Sequence, residues 1–443
     1  MEESGSMKRS TLFLTATALA ATAALAQQAQ RAPQAPARAA TALPATQALF
    51  DSYVATGKMP GIVGAFGIAG RPTGFVSAGR IADEPTAPTA GPDSLWRIYS
   101  MTKPITGMAA MMLVEEGKLR LDQPVGEILP AFRNMRVLTD PEKSLASRPA
   151  ARPITIRHLL THTAGLGYNI ITTGPLLKEY ERLGILPGSV NALVEAQART
   201  VRPRSLQEFA ERTATLPLIA DPGTRWSYSI ALDVMGAVIE RASGMPFDRF
   251  LERRLFAPLG MRSTFFTVPA GEAGRLATNY AFTGDVRVPL DPGRTSVYLQ
   301  PPSFPYGGAG LVSSARDYDR FLRMLQNGGE LDGVRVMKPE TVRLAMSDLL
   351  PAGVTFQGIG GGTGGTQGGV RMGYGAGGSV YLEDRPGGPG KGTYGWGGAA
   401  GTIAYVDPTN RTRGVVMVNY FPAERWPLRR EVPVALAKDL ARR

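Results

Sequence analysis

The chain contains no cysteine and only two histidines among its 443 residues. The lack of cysteine excludes a thiol nucleophile, a lipid-anchored cysteine, a disulfide framework and a cysteine-ligated zinc site. His158 and His162 lie four residues apart, but the pair lacks the intervening glutamate of the HExxH zinc motif. We therefore predict two structural histidines, no metal site and no organic cofactor.

Long apolar runs and clustered positive charge are also missing from the body of the chain. No run of about eighteen apolar residues occurs there, so the mature chain is predicted to have no integral membrane segment. The formal net charge is +12, yet the arginines are dispersed, with no basic run of five or more. This dispersion disfavours a nucleic-acid partner and fits solubility or attraction to an anionic surface.

The N-terminus has the composition of a targeting segment. Lys8 and Arg9 precede a run of small apolar residues, and Ala24-Leu25-Ala26 fits a signal-peptidase site. We predict a signal peptide over residues 1–26, with 1–6 an upstream start or a cloning remnant, and export to the periplasm or the medium. Residues 27–46, rich in Ala, Pro and Gln, are predicted to be a disordered tether, and 47–443 a single domain.

Strand patterns lie near both chain ends, with helical patterns between them. The strands are predicted at 62–68, 75–81, 375–382, 394–405 and 414–420. The helices are predicted at 100–117, 157–161, 206–216, 229–242, 315–326 and 432–440. A glycine-rich segment over 358–378 is predicted to be a linker, and the sequence indicates no role for it. The order predicts an α/β (α+β) fold in which one sheet is built from both ends of the chain and a helical region is inserted.

The stretch Ser100-Met101-Thr102-Lys103 places a hydroxyl and an amine one helical turn apart. A serine hydroxyl is a weak nucleophile until a neighbouring base takes its proton, and a desolvated lysine is such a base. The spacing alone also occurs at ordinary surface helix starts, where the lysine is solvated. The motif therefore needs partners elsewhere in the chain.

Two further stretches supply candidate partners. Tyr228 stands at the junction between the loop from Asp221 and a predicted helix, where a phenol is able to carry a proton. Trp396, Gly397 and Gly398 lie in a predicted strand, where two glycines let another molecule approach the backbone closely. The alternatives for these two stretches are a half-buried anchor and a bulge. No Gly-x-Ser-x-Gly elbow is present, which disfavours the α/β-hydrolase fold.

In this order the elements resemble the serine β-lactamase and penicillin-binding-protein superfamily, of which Ser-x-x-Lys is a motif. The nearest likeness is to the class C β-lactamases and their related carboxylesterases, from about Leu49 onwards. Besides Ser100–Lys103, it rests on three stretches that match the family's patterns, namely 154–166 (ITIRHLLTHTAGL), 222–229 (PGTRWSYS) and 307–315 (GGAGLVSSA).

The resemblance implies a β-lactamase/transpeptidase-like fold, with an antiparallel sheet from both chain ends flanked by helices and an inserted all-helical region. It implies that Ser100 is acylated, that Lys103 and Tyr228 move the proton, and that the backbone N–H groups of Ser100 and Ala399 form the oxyanion hole. Trp396, Gly397 and Gly398 would line the substrate site.

Two departures from the β-lactamase pattern change the expected substrate. Ile230 stands where β-lactamases have the asparagine of Tyr-x-Asn, and Trp396 stands where they have the lysine of Lys-Thr-Gly. Both changes are typical of the esterase branch. We therefore predict an exported serine hydrolase that acts as a carboxylesterase on small or medium acyl esters. The alternatives are a β-lactamase, a D-amino-acid peptidase or carboxypeptidase acting on cell-wall fragments, and a catalytically retired binding module. The predicted partner is a small-molecule ester or a β-lactam-like substrate, and the sequence leaves the oligomeric state open.

Overall fold

A computed structural model describes residues 42–359, 366–367 and 369–441. The predicted signal peptide and residues 27–41 of the predicted tether therefore lie outside the described residues. The first helix begins at Pro44, three residues before the predicted start of the domain at 47. Its first turn is held by Asp439, whose carboxylate accepts hydrogen bonds from the backbone of Ala45 and from the backbone and hydroxyl of Thr46. Within the described ranges no helix has both the length and the apolar character needed to cross a membrane.

The largest sheet has eight strands, all antiparallel to their neighbours, and it joins the two ends of the chain. Strands from the C-terminal part form most of it, and the first two strands complete one edge by pairing with Thr412–Met417. The strands of the chain are β1 Gly61–Ile68, β2 Gly74–Gly79, β3 Leu95–Arg97, β4 Arg136–Leu138, β5 Ser147–Pro149, β6 Asn279–Thr283, β7 Val286–Asp291, β8 Val312–Ser314, β9 Glu330–Leu331, β10 Val334–Arg335, β11 Thr366–Gln367, β12 Val370–Tyr374, β13 Ser379–Tyr381, β14 Tyr394–Gly397, β15 Ile403–Asp407, β16 Thr412–Met417 and β17 Tyr420–Phe421.

Helices cover both faces of this sheet. The helices are α1 Pro44–Ala55, α2 Thr102–Glu115, α3 Ile156–Leu160, α4 Gly174–Arg182, α5 Ala192–Ala198, α6 Leu206–Ala214, α7 Ala231–Ser243, α8 Phe247–Leu251, α9 Ala257–Leu259, α10 Ala315–Gln326, α11 Pro339–Ala345 and α12 Leu428–Ala441. Side chains of α1 and α12 share one hydrophobic cluster with β1 and β16. Because β1 is buried along almost its whole length, its sequence is continuously apolar or small instead of alternating.

The architecture agrees with the predicted fold class, with two differences in detail. The inserted region is mainly helical, but it also carries short strands, including the pair β4 and β5 and the pair β6 and β7. The predicted strand 375–382 is a turn over Gly375–Gly378 and a strand only over Ser379–Tyr381, and the predicted strand 394–405 is interrupted by a turn at Gly398–Thr402. These turns contain glycine and alanine, with neither proline nor asparagine to mark them.

The predicted linker over 358–378 is also wrong for its second half. Residues 366–367 and 370–374 form β11 and β12 at one edge of the main sheet, while 360–365 and 368 lie outside the described residues. The turn after β12 packs against α2, where an added Cβ on Gly107 would stand 2.1 Å from Ala376 O. Glycine at 107 therefore allows a close approach of this turn to the helix that carries Lys103.

Candidate active site

Ser100 lies where the short strand β3 turns into α2. Residues Tyr99–Met101 form one 3-10 turn, and Tyr99 has a left-handed backbone with φ of 41°. Such a conformation is costly for a non-glycine residue, and it persists where the surroundings hold it. The Tyr99 side chain is buried, accepts a hydrogen bond from Asn279 and packs edge-on against Phe421. The anchored Tyr99 fixes the direction in which the chain enters Ser100.

Three of the predicted residues meet at one oxygen atom. Tyr228 Oη donates to Ser100 Oγ at 2.6 Å, and Lys103 Nζ donates to the same oxygen at 3.2 Å. Lys103 is fully buried, and its Nζ stands 4.6 Å from the centre of the Tyr228 ring. The side chains of a nucleophile, an amine and a phenol are thus within proton-transfer distance of one another.

Lys103 Nζ is held from its other side by the glycine-rich segment that precedes β8. Nζ donates to Gly308 O at 2.7 Å. Thr106 Oγ1 on α2 donates to the neighbouring Gly307 O at 2.7 Å. An added Cβ on Gly307 or Gly308 would stand 2.3 Å from Leu232 O or 2.5 Å from the Asp233 carboxylate, respectively. Glycine at both positions therefore lets the Gly308 carbonyl reach Lys103.

Asp233 on α7 is a buried carboxylate of this site that sequence reasoning missed. Its Oδ1 accepts from Gly308 N at 2.8 Å, while its buried Oδ2 has no hydrogen-bond partner among the described residues. Burial raises the pKa of Asp233 to about 6, and the nearby Lys103 charge and the Gly308 N–H oppose that rise. The only sequence signal was an acid in the otherwise apolar first turn of the helix that follows Tyr228.

The two histidines have structural contacts, as predicted. His162 Nδ1 accepts from the Ser229 backbone at 3.2 Å, and its ring lies 4.9 Å from the Tyr228 ring. Burial, and then the Lys103 charge, hold the pKa of His162 well below its usual range, so the ring is neutral behind the phenol. His158 accepts from the Thr155 backbone as part of a helix cap, away from Ser100.

Trp396 and the glycines after it form the opposite wall of the site. Trp396 on β14 is half-buried, and its Nε1 donates to Tyr228 Oη at 3.4 Å. Gly397 ends this strand, and Gly398 begins the turn to β15, closed by a 3.1 Å hydrogen bond from Gly401 N to Gly398 O. An added Cβ on Gly398 would stand 2.5 Å from Ile98 O, so glycine lets the turn lie against the residues that lead into Ser100.

Ala399 occupies this turn and is exposed, instead of lying within a strand as predicted. In the described part of the chain, neither its backbone N–H nor that of Ser100 has a hydrogen-bond acceptor. Two free donors beside a candidate nucleophile suit an oxyanion.

A cavity of about 540 Å³ opens beside Tyr228. Its walls combine apolar and polar groups, and Arg225 is the one charged side chain among the described residues that line it. The lining residues are Ile171, Thr224, Arg225, Trp226, Ser227, Tyr228, Gly353, Val354, Thr355, Gln357 and Gly358. The space is sufficient for a small organic molecule.

Comparison with known proteins finds matches over nearly the whole described chain. Residues 46–437 match the family model described as Beta-lactamase. Protein Rv1367c of Mycobacterium tuberculosis is 38% identical over 72% of this chain and 75% of its own length. Esterase EstB of Burkholderia gladioli is 34% identical over 74% of this chain and 78% of its own length.

A solved structure is similar to this chain in fold and, to a lesser degree, in sequence. EstCE1, described as a hydrolase with promiscuous acyltransferase activity, superposes with a TM-score of 0.71 at 26% identity. The superposition covers 89% of this chain and 98% of EstCE1.

Proposed function

Since the chain belongs to the β-lactamase family and is a serine hydrolase of that family, we propose that it is a carboxylesterase that forms an acyl-enzyme at Ser100. The proposed substrates are small or medium acyl esters. The observation that carries the proposal is the convergence of Tyr228 Oη and Lys103 Nζ on Ser100 Oγ, at 2.6 and 3.2 Å.

The reaction takes place in two halves. In the reactive form the Lys103 and Tyr228 pair carries one proton fewer than an ammonium and a phenol together. Ser100 Oγ attacks the ester carbonyl carbon while its proton passes to this pair, and Tyr228 Oη then gives a proton to the departing alcohol oxygen. The acyl group is then bound to Ser100 Oγ. Water attacks that ester, gives its proton to the same pair, and releases the acid and the free serine.

The carbonyl oxygen becomes negative in both halves. The N–H groups of Ser100 and Ala399 are proposed to stabilise that charge, and the fact that neither has another acceptor among the described residues supports this role. Each such donor is worth about 3–4 kcal/mol of transition-state stabilisation.

An ester fits the surroundings of Ser100 better than a β-lactam does. The buried Ile230 offers no hydrogen bond to a substrate amide, and Trp396 offers an apolar wall where β-lactamases have a lysine. A charge-assisted hydrogen bond contributes about 1.5–3 kcal/mol, so the lack of that cation weakens recognition of a carboxylate by about one to two orders of magnitude. Recognition of such substrates is weakened and not abolished, so a β-lactamase and a D-amino-acid peptidase remain the alternatives.

Turnover of p-nitrophenyl acetate and butyrate, beside that of nitrocefin, tests the assignment. We expect both esters to be hydrolysed much faster than nitrocefin. Ser100→Ala should abolish hydrolysis, whereas Ser52→Ala, which removes an exposed hydroxyl on α1, should leave it unchanged. Faster turnover of nitrocefin would favour a β-lactamase, and slow release of penicillin from Ser100 would favour a peptidase. A fluorophosphonate should label Ser100, and a failure to label it would contradict the proposed acyl-enzyme.

Acyl transfer to an alcohol is the second candidate function. The cavity beside Tyr228 supports it, because an alcohol bound there would lie near the phenol that otherwise activates water. The similarity to EstCE1 also supports it. With p-nitrophenyl butyrate and added 1-butanol, transfer predicts butyl butyrate at the expense of butyric acid. The hindered tert-butanol serves as the control, and equal acid yields with both alcohols would exclude transfer.

The proposed location of the enzyme is outside the cytoplasm. The basic residues and apolar run before Ala26 support this location. The test is to express the full chain in a Gram-negative host and to determine the N-terminus of the mature protein by mass spectrometry. A periplasmic protein that begins at Gln27 is expected, and an uncleaved cytoplasmic protein would contradict the proposal.

A further inference from the structure

Arg429, in the first turn of α12, binds the peptide that carries the proposed Ala399 donor. Its Nη2 donates to Gly398 O at 2.9 Å. The same carbonyl accepts from Gly401 N at 3.1 Å, within the turn. One charged donor and one backbone donor therefore hold this carbonyl oxygen from the same edge of the peptide plane.

That hold determines where the Ala399 N–H points. In a trans peptide the C=O and the N–H leave opposite edges of one plane, so fixing Gly398 O also fixes Ala399 N–H, directed away from Arg429. The guanidinium charge draws electron density towards Gly398 O, which makes the N–H of the same peptide a stronger donor. Without these contacts the peptide of a glycine would rotate easily.

Two glycines make room for this contact. An added Cβ on Gly397 would stand 2.9 Å from Arg429 Nη2, so a side chain there would displace the guanidinium. Gly398 gives the close approach to Ile98 described above. Gly397 thus makes room for Arg429 at one edge of the peptide. Gly398 lets the turn lie close to the residues that precede Ser100.

The position of Arg429 does not suit a role in the core. Its side chain is 41% exposed, and its Nη1 stands 3.6 Å from the largely exposed carboxylate of Glu424. Exposed ion pairs of this kind add at most about 1 kcal/mol to stability. Truncation of Arg429 should therefore alter the Gly398 peptide with little effect on folding.

We propose that Arg429 is a positioning residue that orients and polarises the Gly398–Ala399 peptide as an oxyanion donor. This inference rests on the proposed function of Ser100 and extends it to a side chain on the C-terminal helix. Arg429 acts through the peptide and does not touch the reacting atoms.

Kinetics of Arg429→Ala, Arg429→Lys and Arg430→Ala test the proposal with p-nitrophenyl butyrate. Arg430 is the matched control, because it is the next residue of α12 and its exposed side chain has neither a hydrogen-bond nor an ion-pair partner among the described residues. Because a donor is misdirected and not removed, Arg429→Ala should lower kcat about tenfold, with KM unchanged. Arg429→Lys should lie between Arg429→Ala and wild type, and Arg430→Ala should match wild type.

Two readouts separate positioning from a general structural role. The rate at which a neutral organophosphate inactivates Ser100 should fall by the same factor as kcat, since its phosphoryl oxygen uses the same donors. Added guanidinium chloride at low millimolar concentration should restore part of the activity of Arg429→Ala and none to Gly397→Ala, in which the space is filled. Thermal midpoints should be equal in wild type and in the Arg429 and Arg430 variants.

A wild-type kcat in Arg429→Ala would overturn the inference, as would a loss confined to KM or one that follows a fall in the thermal midpoint. Ser100→Ala distinguishes this failure from failure of the proposed function. If Ser100→Ala is inactive while Arg429→Ala is normal, the esterase proposal stands and only the role of Arg429 is wrong. If Ser100→Ala remains active, the proposed function itself is wrong.

Discussion

Removal of one oxygen atom, in Tyr228→Phe, tests the proposed proton path. The ring should stay in place, because it packs against His162, Tyr168 and Trp396, with ring centres 4.9, 5.4 and 5.7 Å away. The variant loses the 2.6 Å hydrogen bond to Ser100 and the 3.4 Å hydrogen bond from Trp396. One good buried hydrogen bond contributes about 1 kcal/mol to stability, so the protein should remain folded.

The expected kinetic effect is much larger than the effect on stability. General acid–base catalysis contributes about 10²–10⁴-fold, which corresponds to about 3–5 kcal/mol of activation free energy. The assay compares kcat/KM for p-nitrophenyl butyrate and ethyl butyrate, since this constant reports acylation. p-Nitrophenolate leaves without a proton and ethoxide requires one, so the loss should be at least about tenfold greater for the ethyl ester.

The result that would refute this reasoning is a small or uniform loss. If Tyr228→Phe keeps more than about a third of the wild-type kcat/KM for both esters, Tyr228 carries no catalytic proton. If both esters lose activity equally, Tyr228 activates Ser100 but does not protonate the leaving group. Tyr180→Phe is the matched control, because that buried phenol donates to no catalytic group and accepts from Gly167 N.

Two further predictions concern stability. The raised pKa of Asp233, about 6 against an ordinary 3.8, means that between these values the folded state holds a proton that the unfolded state has lost, so stability falls as pH rises from about 4 to 6. Asp233→Asn should remove this fall, and its unfolding free energy relative to wild type should rise by up to about 3 kcal/mol between pH 4 and 7 in urea titrations; a difference that does not vary with pH would contradict the buried carboxyl. Gly107→Ala should destabilise the protein by about 1–3 kcal/mol although alanine favours helices, because its Cβ would meet Ala376 O, whereas Gly91→Ala, which meets no atom within 4 Å, should be nearly neutral. Thermal unfolding of both variants is the measurement, and equal midpoints would show that the turn yields.

The local features of the site were predictable from sequence, and its long-range contacts were not. Ser100 and Lys103 lie three residues apart, so their spacing predicted the contact that the structure shows. Tyr228 was assigned through the family resemblance. Its contact with Ser100 joins residues 128 positions apart, which no local pattern encodes.

The residues that sequence reasoning missed bind backbone groups that lie far from them in the sequence. Asp233 binds Gly308 across 75 residues, and Arg429 binds Gly398 across 31. A charged side chain that binds a backbone group leaves no paired motif in the sequence, because every residue type carries the same backbone group. Each of these contacts is seen only in the tertiary structure, which brings a glycine peptide next to the charged side chain.

The predicted strand 394–405 shows the same limit on a smaller scale. Its small residues fit a strand and a tight turn equally well, and the hairpin is closed by the hydrogen bond of Gly401 to Gly398. Gly401 has φ of 88°, a conformation that favours glycine, but glycine also occurs within strands where backbones approach closely. The turn exposes Ala399 beside Ser100, whereas a continuous strand would have paired its N–H.

Rapid-quench mass spectrometry during turnover of p-nitrophenyl butyrate tests the central claim most directly. A butyryl group is expected on the peptide that contains Ser100, appearing before steady state and decaying when the substrate is exhausted. In Ser100→Ala no adduct should form, while the thermal midpoint stays that of the wild type. Butyrylation of another residue in the wild-type protein would contradict the account. Continued hydrolysis by Ser100→Ala would contradict it as well.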